Sequence, residues 1–176
     1  MARRELTGVL LVGGASTRFG SPKALARYQG ETLAERAWRL LGEVCNERIA
    51  VGKAEYALPF DVVDDGTDVR APIAGVVAGL GAASHEIAIV LPVDMPLLTS
   101  ASLRELADHC LDVAHPQTGP LPGAYRRTAL ASLQDSLDRG ELSLRRAVSG
   151  LEVAVVTFDE RFLLNVNEPG DLDALG

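Results

Sequence analysis

The chain contains 176 residues, of which 47% are hydrophobic and 23% are charged, and its formal net charge is −7. These proportions exclude a disordered chain, and the length favours one domain over residues 1–176 with a sizeable core. The acidic balance argues against nucleic acid as a partner, so an anionic ligand would need a local cationic pocket.

The first predicted element is a strand at residues 8–12 (GVLLV), a continuous apolar run typical of a parallel sheet. The run is too short to span a membrane, and because it ends in glycines it lacks the form of a signal peptide. We therefore expect a cytoplasmic protein that does not bind a membrane.

A glycine-rich turn with two spaced cations follows this strand. Glycines permit positive φ and let a ligand approach the backbone closely, so successive N–H groups can bind phosphate oxygens. Arg18 and Lys23 would neutralise the phosphate charge, and Ser21 and Pro22 predict the start of a helix at the end of the turn. The candidate phosphate-binding residues are Gly13, Gly14, Ser16, Arg18 and Lys23.

The spacing of this turn excludes two familiar phosphate loops. A P-loop needs GxxxxGK followed by Ser or Thr, whereas here Gly14 and Gly20 bracket five residues and Lys23 stands three residues further on. The dinucleotide fingerprint GxGxxG is absent as well. The remaining pattern is GGxSxRxGxxKxL.

Helices and strands then alternate, which is typical of a parallel sheet. Thr32 is predicted to cap an amphipathic helix, and strands are predicted at residues 48–51 and 60–63. Asp64 and Asp65 follow the second of these strands. Since the carboxyl ends of parallel strands line the ligand crevice, one of this pair is a candidate nucleotide contact, and an acidic turn is the alternative.

The helix that begins at Pro72 carries three glycines, each of which costs about 1 kcal/mol relative to alanine. We expect Gly79 and Gly81 to allow close packing on the sheet, and Gly75 to lie near the nucleotide. The strand at residues 87–91 is fully apolar and should therefore be central.

Asp94 follows that central strand and is the leading candidate metal ligand. Pro96 restricts Met95 to an extended conformation, so Asp94 should be held at the edge of the sheet. Mg²⁺ usually takes few protein carboxylates and completes its coordination with substrate phosphates, which suits a single aspartate downstream of a phosphate loop. The alternative is an ordinary turn residue.

The last third of the chain predicts a helix capped at residues 99–102, a strand at 112–114, an extended segment at 120–125, two helices and an outer strand at 152–158. Asn165 and Asn167 follow an apolar run near the carboxyl terminus. Their amides could bind an acceptor or phosphate group without adding charge, and Asn167 could also cap a short terminal helix.

Five segments together resemble the molybdenum cofactor guanylyltransferases and related MobA-like nucleotidyltransferases. They are residues 10–25, PIAG at 72–75, VDMP at 93–96, PLPGAY at 120–125 and NVNEP at 165–169. The resemblance implies a three-layer, Rossmann-like α/β fold with a mainly parallel sheet. It also implies transfer of GMP from GTP to the phosphate of molybdopterin-bound molybdenum, with release of pyrophosphate.

Carried across by position, the resemblance also implies roles for individual residues. Asp94 would bind Mg²⁺ and nucleotide, Asp64 or Asp65 would lie by the nucleotide, and His115 would contact the acceptor unless it is a solvated loop residue. Leu11, Val12 and Gly13 would contact the nucleotide and Lys23 its phosphates. The resemblance leaves open transient contact with cofactor-delivering proteins or molybdoenzymes.

The chain also departs from the family pattern. Gly52 stands where the family often has an asparagine near the base, so a specificity contact is missing or comes from elsewhere. Gly13 and Gly14 favour guanine, because cytidylyltransferase relatives more often show LAAG. The alternatives are a cytidylyl- or sugar-phosphate nucleotidyltransferase and a non-catalytic nucleotide-binding relative.

Overall fold

The computed structural model of the chain describes residues 3–13, 19–53 and 55–176. Three candidate residues of the glycine-rich turn, Gly14, Ser16 and Arg18, lie outside the described residues. The strands are β1 (Leu6–Val12), β2 (Arg27–Tyr28), β3 (Glu31–Thr32), β4 (Glu47–Gly52), β5 (Val62–Val63), β6 (Ile87–Pro92), β7 (Val113–Pro116), β8 (Gly123–Arg126) and β9 (Val153–Val156). The helices are α1 (Leu33–Val44), α2 (Pro72–Ala82), α3 (Ser100–Asp108), α4 (Leu130–Asp138), α5 (Leu144–Val148) and α6 (Pro169–Ala174).

Seven of the strands form one sheet in the order β5-β4-β1-β6-β8-β7-β9. Every neighbouring pair is parallel except those made by β8, which runs antiparallel to both β6 and β7. The predicted α/β class with a mainly parallel sheet is therefore confirmed, and β6 is the central strand as expected. The parallel strands bring their carboxyl ends to a single edge of the sheet.

Helices cover both faces of the sheet and give three layers. Successive side chains of β1 point to opposite faces, so Leu10 packs with Leu41 and Leu103 beneath α1 and α3. On the other face Val9 packs with α2, α4 and α5 through Leu80 and other apolar side chains. The apolar run of β1 is thus explained by burial on both sides.

The helix caps test several local predictions. Thr32 caps α1 in a reciprocal capping box, since its hydroxyl accepts from the Glu35 amide at 3.1 Å and the Glu35 carboxylate accepts from the Thr32 amide at 2.8 Å. The predicted helix capped by Ser21 is wrong. Residues 23–25 form one 3₁₀ turn without a side-chain cap, and the chain continues into the β2–β3 hairpin. Glu168, not Asn167, caps α6.

The second half contains one strand that the sequence did not predict. Residues 123–126, placed in an extended proline-rich segment, form β8 between β6 and β7. His115, expected in a loop, pairs with Val155 of β9 instead. No helix in the described ranges is long and apolar enough to cross a membrane.

Candidate functional site

A cleft of about 250 Å³ opens at the carboxyl edge of the sheet, where β1, β4, β5 and β6 end. Seven sequence candidates line this cleft, which is where the strand-end argument places them. They are Leu11, Val12, Gly13, Lys23, Asp65, Gly75 and Asp94.

Two glycines allow the elements around the cleft to approach each other. Gly13 has φ of +86°, and a Cβ there would lie 2.8 Å from the backbone nitrogen of Lys53. A Cβ on Gly75 would lie 2.7 Å from the Leu11 side chain, so α2 packs directly on the end of β1. Gly79 packs on Val9 as predicted, but the packing prediction for Gly81 is wrong because a Cβ there meets nothing within 4 Å.

Lys23 and Asp94 form an ion pair at one end of the cleft, with 3.4 Å between Nζ and Oδ2. The other carboxylate oxygen, Oδ1, is buried and has no hydrogen-bond partner among the described residues. A buried acceptor without a partner is unfavourable, so its presence suggests a site for a ligand. The Asp94 carbonyl accepts from the Val166 amide at 2.8 Å, which fixes the backbone at this point.

This end of the cleft suits a divalent cation that binds together with phosphates. Oδ1 of Asp94 is a hard, anionic ligand of the type that Mg²⁺ prefers. Within the described ranges no group of three or more acidic, histidine or cysteine side chains could hold a metal alone. Mg²⁺ would therefore need phosphate oxygens and water to complete its coordination, as it commonly does.

A second lysine–aspartate pair, Lys53 and Asp65, closes the opposite end of the cleft. Asp65 is 8% exposed and Lys53 is 15% exposed, and Oδ1 of Asp65 also accepts from the Thr67 amide at 3.2 Å. Asp64 instead points to solvent, where it accepts from the Gly66 amide at 2.7 Å. Of the two candidate acids, the structure therefore places Asp65 in the cleft and Asp64 outside it.

The order of the strands separates the two pairs. Asp94 follows β6 and Asp65 follows β5, and β1 and β4 lie between them. Three interstrand steps of about 4.8 Å put the two strand ends about 14 Å apart. An extended nucleoside triphosphate has similar dimensions. The cleft can therefore take phosphates beside Lys23 and Asp94 and a base beside Lys53 and Asp65.

Among the polar side chains of the described cleft lining, sequence reasoning missed three: Lys53, Tyr56 and Arg70. Lys53 directly follows β4, so the strand-end argument that selected Asp65 could also have found it. Burial raises the pKa of Tyr56, and a hydrogen bond from the Gly13 amide opposes that rise. Tyr56 and Gly13 both line the cleft, and no sequence motif indicates the tyrosine.

Of the three candidate acceptor contacts, the structure places two beside the cleft and one outside it. Asn165 and Asn167 are exposed and flank Val166, whose amide donates to the Asp94 carbonyl, so both asparagines lie beside the Lys23–Asp94 end of the cleft. His115 lies two strands away from β6 and outside the cleft, and its Nδ1 bonds the carbonyl of Pro116 at 2.7 Å.

Comparisons with known proteins agree with this geometry. Residues 8–155 match the family model described as the MobA-like NTP transferase domain. A protein from Opitutus terrae named "Probable molybdenum cofactor guanylyltransferase" is 36% identical, covering 96% of this chain and 93% of the relative. A protein of the same name from Deinococcus radiodurans is 35% identical, covering 97% and 93%. The molybdopterin-guanine dinucleotide biosynthesis protein A from Archaeoglobus fulgidus has a similar fold, with a TM-score of 0.80, 22% identity and 96% of each chain covered.

Proposed function

The chain belongs to the family of MobA-like NTP transferases, and from this premise we propose that it is a molybdenum cofactor guanylyltransferase. It would transfer GMP from GTP to the terminal phosphate of molybdopterin-bound molybdenum and release pyrophosphate. The observation that carries the proposal is the pairing of Lys23 with Asp94, whose second oxygen is buried and has no hydrogen-bond partner in the part of the chain that the structure describes.

The reaction needs positioning and charge neutralisation more than proton transfer. An oxygen of the acceptor phosphate attacks the α-phosphorus of GTP, and the bond from that phosphorus to the α–β bridging oxygen breaks. Pyrophosphate leaves with the electron pair. Because the attacking oxygen is already ionised, no strong general base is required.

Asp94 would hold Mg²⁺ together with phosphate oxygens and water, and the ion would neutralise charge on the phosphates. Lys23 would donate from its ammonium to the phosphate oxygens and so lower the repulsion between donor and acceptor anions. The Asp94 backbone stays fixed during this exchange because its carbonyl accepts from Val166.

The acceptor would enter beside Asn165 and Asn167, which flank Val166 next to Asp94. Both side chains are exposed amides that can donate to phosphate or pterin oxygens without attracting Mg²⁺ away from the aspartate. His115 has no part in this proposal, since it lies outside the cleft.

Calorimetric titration tests the nucleotide half of the proposal. GTP, CTP, ATP and UTP are each titrated with Mg²⁺ into the wild type and into Asp94→Ala. Preference for GTP that weakens in the variant supports the proposal and leads to a pyrophosphate-release assay with GTP and molybdenum cofactor. Preference for CTP would assign the chain to the cytidylyltransferases. Binding without pyrophosphate release would favour a non-catalytic relative.

A further inference from the structure

We propose that the Lys53–Asp65 pair reads the Watson–Crick edge of the nucleotide base and selects guanine. The inference rests on the proposed function, since it assumes that the phosphates lie at the Lys23–Asp94 end. The base then reaches the ends of β4 and β5, about three strand spacings away. Lys53 and Asp65 form an ion pair at this end, and both side chains are largely buried.

The backbone at Gly52 explains why the contact must come from these neighbours. Gly52 has φ of +151°, and a Cβ at this position would lie 1.7 Å from the carbonyl oxygen of Val12. In this conformation no residue with a side chain fits there. A side-chain contact to the base from position 52 is therefore excluded, and Lys53 is the next residue along the chain.

The chemistry of the pair matches guanine better than the other bases. Guanine presents O6 as an acceptor and N1–H and the N2 amino group as donors. The Lys53 ammonium is a donor only and the Asp65 carboxylate is an acceptor only, so the pair can bond all three groups. Adenine and cytosine place an amino group where guanine has O6, and uracil places a carbonyl where guanine has its amino group.

The surroundings of the Lys53–Asp65 pair favour recognition of the base edge. Oδ1 of Asp65 already accepts from Lys53 and from the Thr67 amide, which orients the carboxylate before a base arrives. Both side chains are less than a fifth exposed. In such a partly dehydrated setting a wrong base places a donor against the Lys53 ammonium or an acceptor against the Asp65 carboxylate, which gives large discrimination.

The test compares the affinities of GTP, ITP, XTP and ATP by calorimetry in the presence of Mg²⁺. Inosine lacks the N2 amino group, so wild type should bind ITP about tenfold more weakly than GTP. Asp65→Asn should weaken GTP binding about tenfold or more. It should strengthen XTP binding by a similar factor, because an asparagine amide can donate to the xanthine O2. Lys53→Met should lower the ratio of GTP to ATP affinity about tenfold, and Lys53→Arg should restore most of it.

Arg70→Ala is the matched control for charge. Arg70 also lines the cleft, but it is 58% exposed and pairs with the exposed Glu55 at 3.6 Å. Its loss should weaken all four nucleotides by the same factor and leave their ratios unchanged. A base-independent loss in Asp65→Asn and Lys53→Met would make the pair an ordinary structural brace and overturn the inference.

The outcomes separate this inference from the proposed function. If wild type prefers GTP to ATP but binds ITP as tightly as GTP, the proposed function stands and the inference is wrong. The same holds if Asp65→Asn keeps the wild-type preference for GTP and gains no XTP binding. If wild type shows no preference for GTP, both are wrong. The gain of XTP binding cannot arise from partial unfolding, and the GTP-to-ITP ratio of the wild type needs no variant.

Discussion

Two lysine–aspartate pairs stand at opposite ends of one cleft, and they differ in how completely their aspartates are satisfied. Asp65 bonds Lys53 and the Thr67 amide, and its side chain is 8% exposed. Asp94 bonds Lys23 at 3.4 Å through one oxygen, is 25% exposed, and keeps its other oxygen buried without a partner among the described residues.

This difference indicates that a lysine and an aspartate can bind different parts of one ligand, depending on how the aspartate is hydrogen-bonded. An aspartate that is oriented by several donors presents a fixed acceptor, which suits recognition of a base edge. An aspartate with a buried oxygen that lacks a partner among the described residues is unfavourable, and we expect a bound cation to relieve that cost. We therefore expect substitutions at the two ends to separate turnover from base preference and from stability.

The largest effect should come from the Lys23–Asp94 end. Asp94→Ala and Lys23→Ala should each lower the rate of pyrophosphate release roughly a hundredfold or more, because the developing charge on pyrophosphate loses a stabilising partner. The rate is measured with GTP, Mg²⁺ and molybdenum cofactor. Asp108→Ala, an exposed acid at the end of α3, serves as the control and should keep the wild-type rate. Near-wild-type turnover in either cleft variant would contradict the assignment of phosphates to this end.

The two ends were also unequally predictable from the sequence. Asp94 follows a central apolar strand, and Lys23 follows a glycine-rich turn. Both patterns can be recognised in the sequence. Lys53 and Tyr56 stand in a segment without a motif, and their roles depend on β4 and β5 ending side by side. A single strand-end rule selected both Asp64 and Asp65, and the structure separates them by the turn that Asp64 closes with Gly66 and by the ion pair of Asp65 with Lys53.

The sequence predicted the strands and helices correctly where their pattern of apolar residues was long. β1, β6, α1 and α2 were predicted because burial on one or both faces determines their composition. β8 was missed, since residues 120–123 contain two prolines and β8 is short and antiparallel. His115 was misplaced because strand pairing with β9 is a long-range contact that a window of sequence does not contain.

A substitution between the two ends tests whether the backbone at Gly52 sets this arrangement. Gly52→Asn would introduce the residue that the family often has at this position, but its Cβ would lie 1.7 Å from the Val12 carbonyl oxygen. We expect the free energy of unfolding to fall by about 2–3 kcal/mol, and GTP binding to weaken, because the ends of β1 and β4 must move apart. Urea denaturation and calorimetry measure the two effects.

Gly81→Ala is the control for the general cost of replacing a glycine. A Cβ there meets nothing within 4 Å and the residue lies in α2, so this variant should be as stable as wild type or more stable by up to about 1 kcal/mol. A Gly52→Asn protein with wild-type stability and tighter GTP binding would show that the β4 end adapts, and the argument for Lys53 as the base contact would fail.

The two aspartates should also differ in what they contribute to stability. Asp65→Ala leaves the Lys53 ammonium without its carboxylate in a poorly exposed position, and should lower the free energy of unfolding by about 1–2 kcal/mol. Asp94→Ala removes a buried oxygen that has no partner within residues 3–13, 19–53 and 55–176, which offsets the loss of the Lys23 bond, so the change should stay below about 0.5 kcal/mol. Both are measured by urea denaturation without nucleotide or metal. Equal losses would remove the contrast between the pairs.

A carboxylate at the opposite, amino edge of the sheet provides a reference outside the cleft. Glu47 accepts from the Thr7 hydroxyl at 2.6 Å, from the Ser84 amide at 3.0 Å and from the Ser84 hydroxyl at 2.9 Å. The Thr7 bond is the main cause that holds the pKa of Glu47 below its ordinary value, and the Ser84 bonds add to it. Like Asp65, and unlike Asp94, this carboxylate is satisfied by its neighbours.

Glu47→Gln should therefore give the smallest and most purely structural effect. Because the pKa of Glu47 is lowered in the folded state, its contribution is fully present above the ordinary value of 4.5 and is lost as pH falls through the folded-state pKa. At pH 7 the variant should be less stable than wild type by up to about 1 kcal/mol, and the difference should shrink as the pH falls below about 4.5. Urea denaturation across pH 3–7 measures this trend, and pyrophosphate release should keep its wild-type rate. A stability difference that grows toward acid pH would mean that these hydrogen bonds do not stabilise the ionised Glu47 carboxylate. A loss of turnover would mean that a hydrogen-bonded carboxylate far from the cleft also affects catalysis.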